Sequence, residues 1–582
     1  IMKNQEIAKV FNDIADILEI KGDNPFRIRA YRRAAQNIDG FAGDIAETPE
    51  EELRKIPGIG HDLAEKIKEY VTTDHLEFYE ELKKEVPHSL VEMLSVPSLG
   101  PKTVKMLFEK LKINNIDELE QLAKKGELKG LPGIQAKTEE NILKGIAMVR
   151  RRTDRFPIGR VLPIAEDILK KLKDAAPVKE IALAGSLRRW KDTIKDIDML
   201  ATSRDPKKVM NVFTRLPHVK EVLMKGPTKS SIVTGENIQV DLRVVEEDSV
   251  GAALAYFTGS KAHNIRLREM AVKKGLKINE YGVFDVKTNK KIGGKNEADI
   301  YKALGLLFIP PELREDTGEI EAAFERKLPE LFELGDIKGD LHVHTKYSDG
   351  SHDIEELVDE ARKRGYKYIA ITDHSKGLGV ARGMSIEKLL EQNKKIEAVN
   401  KRLKNFFLLS GVEMDIRSDG TMDYPDEVLK KLDIVIASIH SGFRQSKEQL
   451  TKRLVSAMKN PFVSIIAHPT GRLIGERDAY DVDIDEVLMT ARDTGAAIEV
   501  NAYPLRLDLS DIYIRKAKGM GIPLAISTDA HVAYQFDFMR YGVGIARRGW
   551  LEKKDVLNTY PYKALLKRLK NKQYKRSSVK SR

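Results

Sequence analysis

The sequence predicts a multidomain chain of mixed α+β and α/β class, and three observations predict it. The chain is 582 residues long, more than a single hydrophobic core sustains. Its first 150 residues read as short amphipathic helices interrupted three times by proline-containing turns. Residues 336–545 repeat one unit, a short apolar strand ending in a polar residue and then a helical stretch. Between these regions, residues 158–316 mix helices with β-branched strands such as 180–184 and 237–245.

The three turns are Ile56-Pro57-Gly58-Ile59-Gly60, Val96-Pro97-Ser98-Leu99-Gly100 and Leu131-Pro132-Gly133-Ile134-Gln135. Each lies between helical stretches, which is the helix-hairpin-helix pattern. Glycine permits the tight turn, and the backbone N–H groups that open the next helix can then face a phosphate oxygen. Such contacts hold DNA without reading its sequence. One turn of this kind could be an ordinary connection; two good copies point to DNA, with Gly58, Gly60 and Gly100 as contact positions. The third copy carries Gln135 where glycine is usual, so it is expected to be structural.

In the middle region, Gly185-Ser186-Leu187-Arg188-Arg189 follows a strand, and Asp196-Ile197-Asp198 comes next. Residues i and i+2 of a strand share a face, so Asp196 and Asp198 converge. In Ile238-Gln239-Val240-Asp241-Leu242-Arg243 the apolar residues alternate with Asp241, which gives a core face and a site face. Three carboxylates brought together repel unless they hold hard cations. Mg²⁺ accepts oxygen ligands and keeps places for phosphate oxygens. Two such ions can stabilise an attacking 3′-oxygen and a departing pyrophosphate. An isolated Asp-x-Asp would be an unremarkable solvated strand end; Gly-Ser upstream at this spacing makes it a site.

In the repeating region seven strands are expected, near 340–343, 368–372, 408–412, 434–438, 463–467, 497–500 and 523–527. Seven strands alternating with helices predict a parallel barrel, whose chemistry sits at the strand C-termini. Seven of the twelve histidines follow residue 340, and six of them end predicted strands: His342, His344, His374, His440, His468 and His531. Asp349, Glu413 and Asp529 accompany them. A lone histidine is usually a core or surface residue, but six at strand ends with carboxylates read as metal ligands. Histidine and carboxylate without thiolate favour Zn²⁺, Mn²⁺ or Fe²⁺ over Mg²⁺ alone.

Composition bounds the remaining choices. The net charge is +11, but residues 563–582 hold nine Lys or Arg and no acid, so the rest carries only 11 − 9 = +2. Charge therefore marks a basic tail, either solvated or DNA-contacting, and not a basic protein. The chain has no cysteine, which removes disulfides and thiolate metal sites and favours the cytoplasm. No membrane segment or signal peptide is expected.

The middle motifs resemble the nucleotidyltransferase signature of family X DNA polymerases. Tyr256-Phe257-Thr258-Gly259-Ser260 resembles that family's thumb motif, and Lys277-Ile278-Asn279-Glu280-Tyr281 fits the family's pattern downstream of it. The resemblance implies a palm over 151–246 and a thumb over 247–316, preceded by a lyase-like DNA-binding domain at 1–80 and a fingers-type domain at 81–150. It implies that Asp196 and Asp198 bind two Mg²⁺ ions, and that Asp241 holds the catalytic one and orients or deprotonates the 3′-hydroxyl. Ser186, Arg189 and the Gly185 backbone would bind the β- and γ-phosphates, with Arg155 adding charge. Tyr256 and the turn Phe257–Gly259 would exclude a ribose 2′-hydroxyl. Asn264 and Arg268 would touch the minor-groove side of the nascent pair and template.

The last region, after a Glu-rich helical linker at 317–335, resembles the PHP (polymerase and histidinol phosphatase) domain over 336–575, with a basic tail at 576–582. The family's nine-ligand pattern maps onto His342, His344, Asp349, His374, Glu413, His440, His468, Asp529 and His531. It implies a distorted (β/α)7 barrel holding three Mn²⁺ or Zn²⁺ ions that activate water for phosphoester hydrolysis. Arg444 and Lys346 are candidates to assist phosphate binding. The combined expectation is a monomeric repair polymerase that takes gapped or nicked DNA and dNTP, with a 3′–5′ exonuclease or abasic-site endonuclease in its barrel. Two alternatives stay open: a barrel acting on small phosphoesters, and a DNA-end-binding scaffold with relict sites.

The resembling polymerases also remove a 5′-deoxyribose phosphate through a lysine Schiff base, and Lys66 matches the nucleophile. That family's site has a second lysine four residues earlier, where this chain has Asp62. An anion on the same helical face favours the ammonium over the neutral amine that attack requires. Weak lyase activity at most is expected.

Overall fold

A computed structural model describes residues 2–577 apart from 40–44, 47, 55, 57, 74, 87, 95, 97, 98, 130, 133, 135, 153 and 154. Pro57, Pro97, Ser98, Gly133, Gln135 and residues 578–582 therefore lie outside the described residues. The chain divides into two compact units, essentially residues 1–154 and the remainder.

The first unit is helical. Helices Met2–Lys21 and Pro25–Asp39 pack together, and the shorter helices after them, with the turns between, bury Ile59, Leu63, Ile67, Leu82, Leu99, Val104 and Leu107 in one continuous apolar cluster. The cluster runs unbroken across the boundary expected at residue 80. The three predicted turns share one backbone device: the N–H groups of Ile59, Leu99 and Ile134 donate to Ile56, Val96 and Leu131 at 3.0, 3.1 and 2.9 Å. All three donors bury their side chains. Repetition of the same apolar anchor explains why the three sequences look alike. Gly58 adopts φ +86, and a Cβ there would meet the Arg33 side chain at 3.0 Å. Gly60 and Gly100 have open space before helices His61–Thr73 and Pro101–Leu111.

In the second unit a five-stranded sheet comes first. Its order is Glu180–Leu183, Asp196–Thr202, Gln239–Val245, Lys229–Thr234, Val219–Lys225. Helix Ile158–Ala175 covers it through Val161, Ala165, Ile168 and Leu172. Helices Val250–Thr258 and Lys261–Lys273 come next, and then a three-stranded sheet, Leu276–Asn279, Gly282–Asp285 and Lys291–Gly293. Residues 317–335 differ from the helical linker expected of them: only Glu319–Phe324 is α-helical, and Ile320 and Ala323 join the apolar core of the preceding region. Glu319 is fully buried, because His263 lies 2.6 Å away and the N–H groups of Asp316 and Thr317 donate to its carboxylate.

The last region is the expected barrel. Seven parallel strands adjoin in sequence order: Gly339–Val343, Tyr368–Ile371, Phe407–Asp415, Ile434–Ser438, Ile465–Ile466, Ala497–Asn501 and Leu524–Ser527. A parallel bridge between Val343 and Ala530 brings the last strand back to the first. Two of the crossover helices start on capping boxes, Asp353 with Glu356 and Ser446 with Gln449. The interior is filled by Leu341, Tyr368, Leu409, Ile436 and Ile465, and Leu565 and Leu569 of helix Tyr562–Ser577 join the same cluster. The basic segment from 563 therefore begins as part of the barrel core: leucines four residues apart share a helical face and outweigh the surrounding charge.

Candidate active sites

The first site lies on the five-stranded sheet. Asp198 and Asp241 stand opposite each other in parallel register, and Asp196 shares the strand of Asp198. The alternation read from the sequence holds: Val240, Leu242 and Val244 are buried, whereas Gln239, Asp241 and Arg243 are half-buried on the other face. Gly185 has φ +61, and a Cβ there would lie 2.2 Å from Asp198 Oδ2, so only glycine lets this backbone reach the carboxylate. Burial first, and then Asp196 and Asp241, push the Asp198 carboxyl up to about 7, against the lowering effects of Arg243 and Arg189. The carboxyl groups are spread more widely than the barrel residues: they form no three-member group with ligand atoms within 4.8 Å among the described residues. An oxygen-seeking divalent cation fits this donor set and offsets its repulsion.

The two arginines after Gly185-Ser186 diverge. Arg188 holds Glu297 bidentately at 2.8 and 2.8 Å and donates to Thr258 Oγ1 at 2.7 Å. Arg189 donates through Nε to Glu315 at 3.0 Å and through Nη1 to the Thr258 carbonyl. Gly259, at φ +71, would place a Cβ 3.2 Å from Arg189 Nη1. Ser186 is half-buried, and its carbonyl accepts from the Lys191 N–H at 3.1 Å. Tyr256 packs edge-on against Phe257 at 5.1 Å, and Arg243 lies over the Phe257 ring at 4.5 Å. Asn264 donates to the Tyr256 carbonyl at 2.7 Å, and Arg268 donates to the Asn264 carbonyl at 3.2 Å. Arg155 donates to Thr193 Oγ1 at 3.0 Å and to the Thr193 carbonyl at 2.5 Å.

The second site crowns the barrel at the C-terminal ends of its strands. Three overlapping groups have ligand atoms within 4.8 Å of one another: His344, Asp349, His374 and His531; His342, His344, Glu413 and Asp529; and His374, Glu413 and His440. His468 joins them through Glu413, 2.9 Å from its Nε2. All nine predicted ligands are thus brought together. His342 Nε2, His344 Nδ1, His468 Nδ1 and Glu413 Oε2 are sealed from solvent without a hydrogen-bond partner. Burying such atoms unpaired is costly, and metal ions would satisfy them. Burial opposes charge on His374, but Glu413 and Asp349 outweigh it and raise its pKa to about 10. Burial, then His531 and His374, lower that of His344 to about 4.

Four supporting residues were not read from the sequence. Glu499 accepts from His342 Nδ1 at 2.8 Å and so aims Nε2 inward. Asp415 lies 3.4 Å from His440 Nδ1. Asp373 accepts from Thr345, Ser348 and Gln392 and so braces the turn carrying Asp349. Arg506 places Nε 3.6 Å from Asp529. A single acid inside the apolar run Ala496–Val500 was the available signal for Glu499; nothing local marks Arg506. Of the sequence candidates for phosphate binding, Lys346 is engaged by Asp353 at 3.1 Å, and Arg444 is exposed.

Together the sheet site and the barrel site define a nucleotidyltransferase joined to a metal-binding phosphoesterase. Residues 2–76 match a helix-hairpin-helix domain family, 90–147 a SAM-like helix-hairpin-helix tandem, 253–315 the DNA polymerase beta thumb and 340–502 the PHP domain. The chain is 42% identical over 572 residues to "DNA polymerase/3'-5' exonuclease PolX" of Bacillus subtilis, covering 97% of this chain and 100% of that protein. Over 232 residues it is 34% identical to a "probable phosphatase" of a Thermoanaerobacter species, 38% of this chain and 89% of that one. It is 31% identical over 220 residues to another of Caldicellulosiruptor bescii, 35% and 83%. The chain belongs to the family X DNA polymerases that carry a C-terminal PHP domain. No helix among the described residues is long and apolar enough to cross a membrane.

Proposed function

We propose that the protein fills short gaps in DNA during base excision or end repair and trims 3′ ends, or incises abasic sites, with its barrel. The observation that carries this reading is the pairing of two separate carboxylate-bearing sites in one chain, Asp198 beside Asp241, and Glu413 with eight other His and Asp residues around it. In this reading Asp196, Asp198 and Asp241 hold Mg²⁺, and the nine barrel residues hold three Mn²⁺ or Zn²⁺. Bound ions supply charge stabilisation to the attacking and leaving oxygens and activate water in the barrel. Asp241 orients or deprotonates the primer 3′-hydroxyl. Ser186, Arg189 and the Gly185 N–H hold the β- and γ-phosphates, Tyr256 and the Phe257–Gly259 turn crowd the 2′ position, and Asn264 and Arg268 face the nascent pair. The N-terminal turns at Gly58, Gly60 and Gly100 hold the duplex backbone. The division we propose is 1–80, 81–150, 151–246, 247–316, 317–335, 336–575 and 576–582, in a monomer of the cytoplasm.

The relatives named as phosphatases support a second reading, in which the barrel takes small phosphoesters. One experiment separates the two. A gapped, end-labelled primer–template is extended with dNTP and Mg²⁺, then incubated with Mn²⁺ alone. Extension followed by stepwise shortening is expected. An intact primer, with release of phosphate from a nucleoside monophosphate, would favour the second reading.

A further inference from the structure

Arg189 reaches the first site from a short helix, Gly185–Arg188, whose C-terminus it caps. Its anchors come from three distant parts of the chain. Its Nε donates to Glu315 at 3.0 Å, and Arg548, at the end of helix Met539–Arg548, donates to that same Glu315 oxygen at 3.0 Å. Arg548 also donates to the backbone carbonyl of Arg189 at 2.7 Å. Arg548 is itself clamped by Asp511, which accepts from its Nε and Nη2 at 2.9 and 2.6 Å. The Arg548 side chain is 2% exposed, so the centre of this chain of alternating charges is shielded from solvent. Arg189 and Arg548 keep the Glu315 carboxyl below the usual carboxylate range although burial works against it. Beside the chain, the Trp190 ring packs on Gly544, where a Cβ would lie 2.4 Å from the ring.

Asp511 and Arg548 belong to the barrel region, and neither is among the residues around Glu413. Arg548 therefore grips both ends of Arg189: the backbone carbonyl directly, and the guanidinium through Glu315. With Nε on Glu315 and Nη1 on Thr258, Arg189 has its orientation set while Nη2 remains for an anion. We infer that Arg548 of the barrel, acting through Glu315, is a positioning residue for nucleotide addition, which fixes Arg189 for the triphosphate of the incoming nucleotide. This inference rests on the reading of Arg189 as a triphosphate contact.

The test uses the full chain in Mg²⁺-dependent gap filling, with Mn²⁺-dependent primer hydrolysis measured beside it. Arg548→Gln is expected to raise the KM for dNTP roughly tenfold, the scale of a lost charged hydrogen bond, with a smaller change in kcat and unchanged hydrolysis. Arg548→Lys, which keeps the charge but not the fork, recovers part of the loss. Glu315→Gln raises KM similarly, and the double variant is no worse than either single one, because both act through one path. Arg189→Gln is the reference. If it raises KM and Arg548→Gln does not, the inference falls while the triphosphate reading stands. If Arg189→Gln leaves KM unchanged, the triphosphate reading falls and takes the inference with it. If Arg548→Gln lowers the melting temperature and both activities together, Glu315→Gln decides: a KM increase alone supports the inference, and an unchanged KM overturns it.

Discussion

Asp198 and Asp241 face each other across adjacent parallel strands, and the Gly185 backbone closes over Asp198 at a distance no side chain would permit. The barrel site shares no residue with this pair. Each activity should therefore be removable alone. Asp198→Ala is expected to lower nucleotide addition by roughly a thousandfold or more and to leave Mn²⁺-dependent hydrolysis intact. His344→Ala, which removes a member of two of the three barrel groups, should do the reverse. Parallel assays on one primer–template check both, and comparable loss of both activities in a folded variant would refute the separation.

The Asp198 carboxyl is raised from an ordinary value of 3.8 to about 7 by burial and by Asp196 and Asp241. Between those values the folded chain keeps a proton that the unfolded chain releases. Stability without divalent ions therefore falls as pH rises through that window, by an upper bound of roughly 4 kcal/mol. Asp198→Asn removes the penalty. With a chelator present, it is expected to raise the melting temperature at pH 8 and to leave it near the wild-type value at pH 3.5. Mg²⁺ should narrow the difference at pH 8. An equal difference at both pH values in chelator would mean that Asp198 does not titrate in this window.

What the sequence revealed and what it hid differ in range. Alternation in 238–243 exposed the site face of Asp241, and strand-end histidines exposed the barrel site, because both are patterns within a few residues. Glu319 looked like a linker charge, since burial beside His263 depends on a residue 56 positions away. Arg548 and Glu315 carry no local signal for the same reason, with 233 positions between them. Composition also misread the end of the chain, where two leucines outweigh the lysines around them.

A C-terminal helix docked on the barrel changes what a truncation would report. Leu565 is fully buried and Leu569 nearly so. Removing residues from 563 onward should destabilise the barrel and obscure any loss of DNA contact. Leu565→Ala is expected to cost about 2–5 kcal/mol, the usual range for a leucine lost from a core. Denaturant unfolding followed by a barrel-specific signal checks this, and a cost within error would place the helix off the core in solution.

Arg506 is a cation beside a predicted metal ligand, 3.6 Å from Asp529, with its side chain 17% exposed. Its backbone is also held, because Arg472 donates to the carbonyls of Arg506 and Leu507 while pairing with Asp192 at 3.2 Å. A fixed guanidinium there suits a phosphate approaching the metal site. Arg506→Ala is expected to lower kcat/KM for hydrolysis by roughly ten- to a hundredfold without changing nucleotide addition. Lys346→Ala should change hydrolysis by less than about twofold, as its partners are surface acids. A larger effect at Lys346 than at Arg506 would reverse the assignment.

Lys66 offers the sharpest test of the N-terminal unit. Its side chain is 16% exposed, its Nζ is paired with Asp62 one helical turn earlier, and it lies 5.4 Å over the Phe78 ring. Arg27 lies 4.9 Å over the same ring, so a second cation stands on that aromatic face. Tyr31 is buried beside them, stacked on Phe78 at 6.1 Å. A 5′-phosphate would find Arg27 here, but the amine that must attack the sugar aldehyde is occupied by Asp62. Nζ must leave Asp62 before it can reach a sugar aldehyde, so the contact stands in the way of attack. Borohydride trapping on a 5′-incised abasic duplex should therefore give a weak adduct with the wild type and none with Lys66→Ala. Asp62→Lys, which replaces the anion by a cation on the same helical face, should increase trapping roughly two- to fivefold, the effect of losing an attraction and gaining a repulsion of about 0.2–0.5 kcal/mol each. Strong trapping by the wild type that Lys66→Ala leaves untouched would place the nucleophile elsewhere. Trapping that Asp62→Lys fails to raise would show that the ion pair is not what holds Lys66 back.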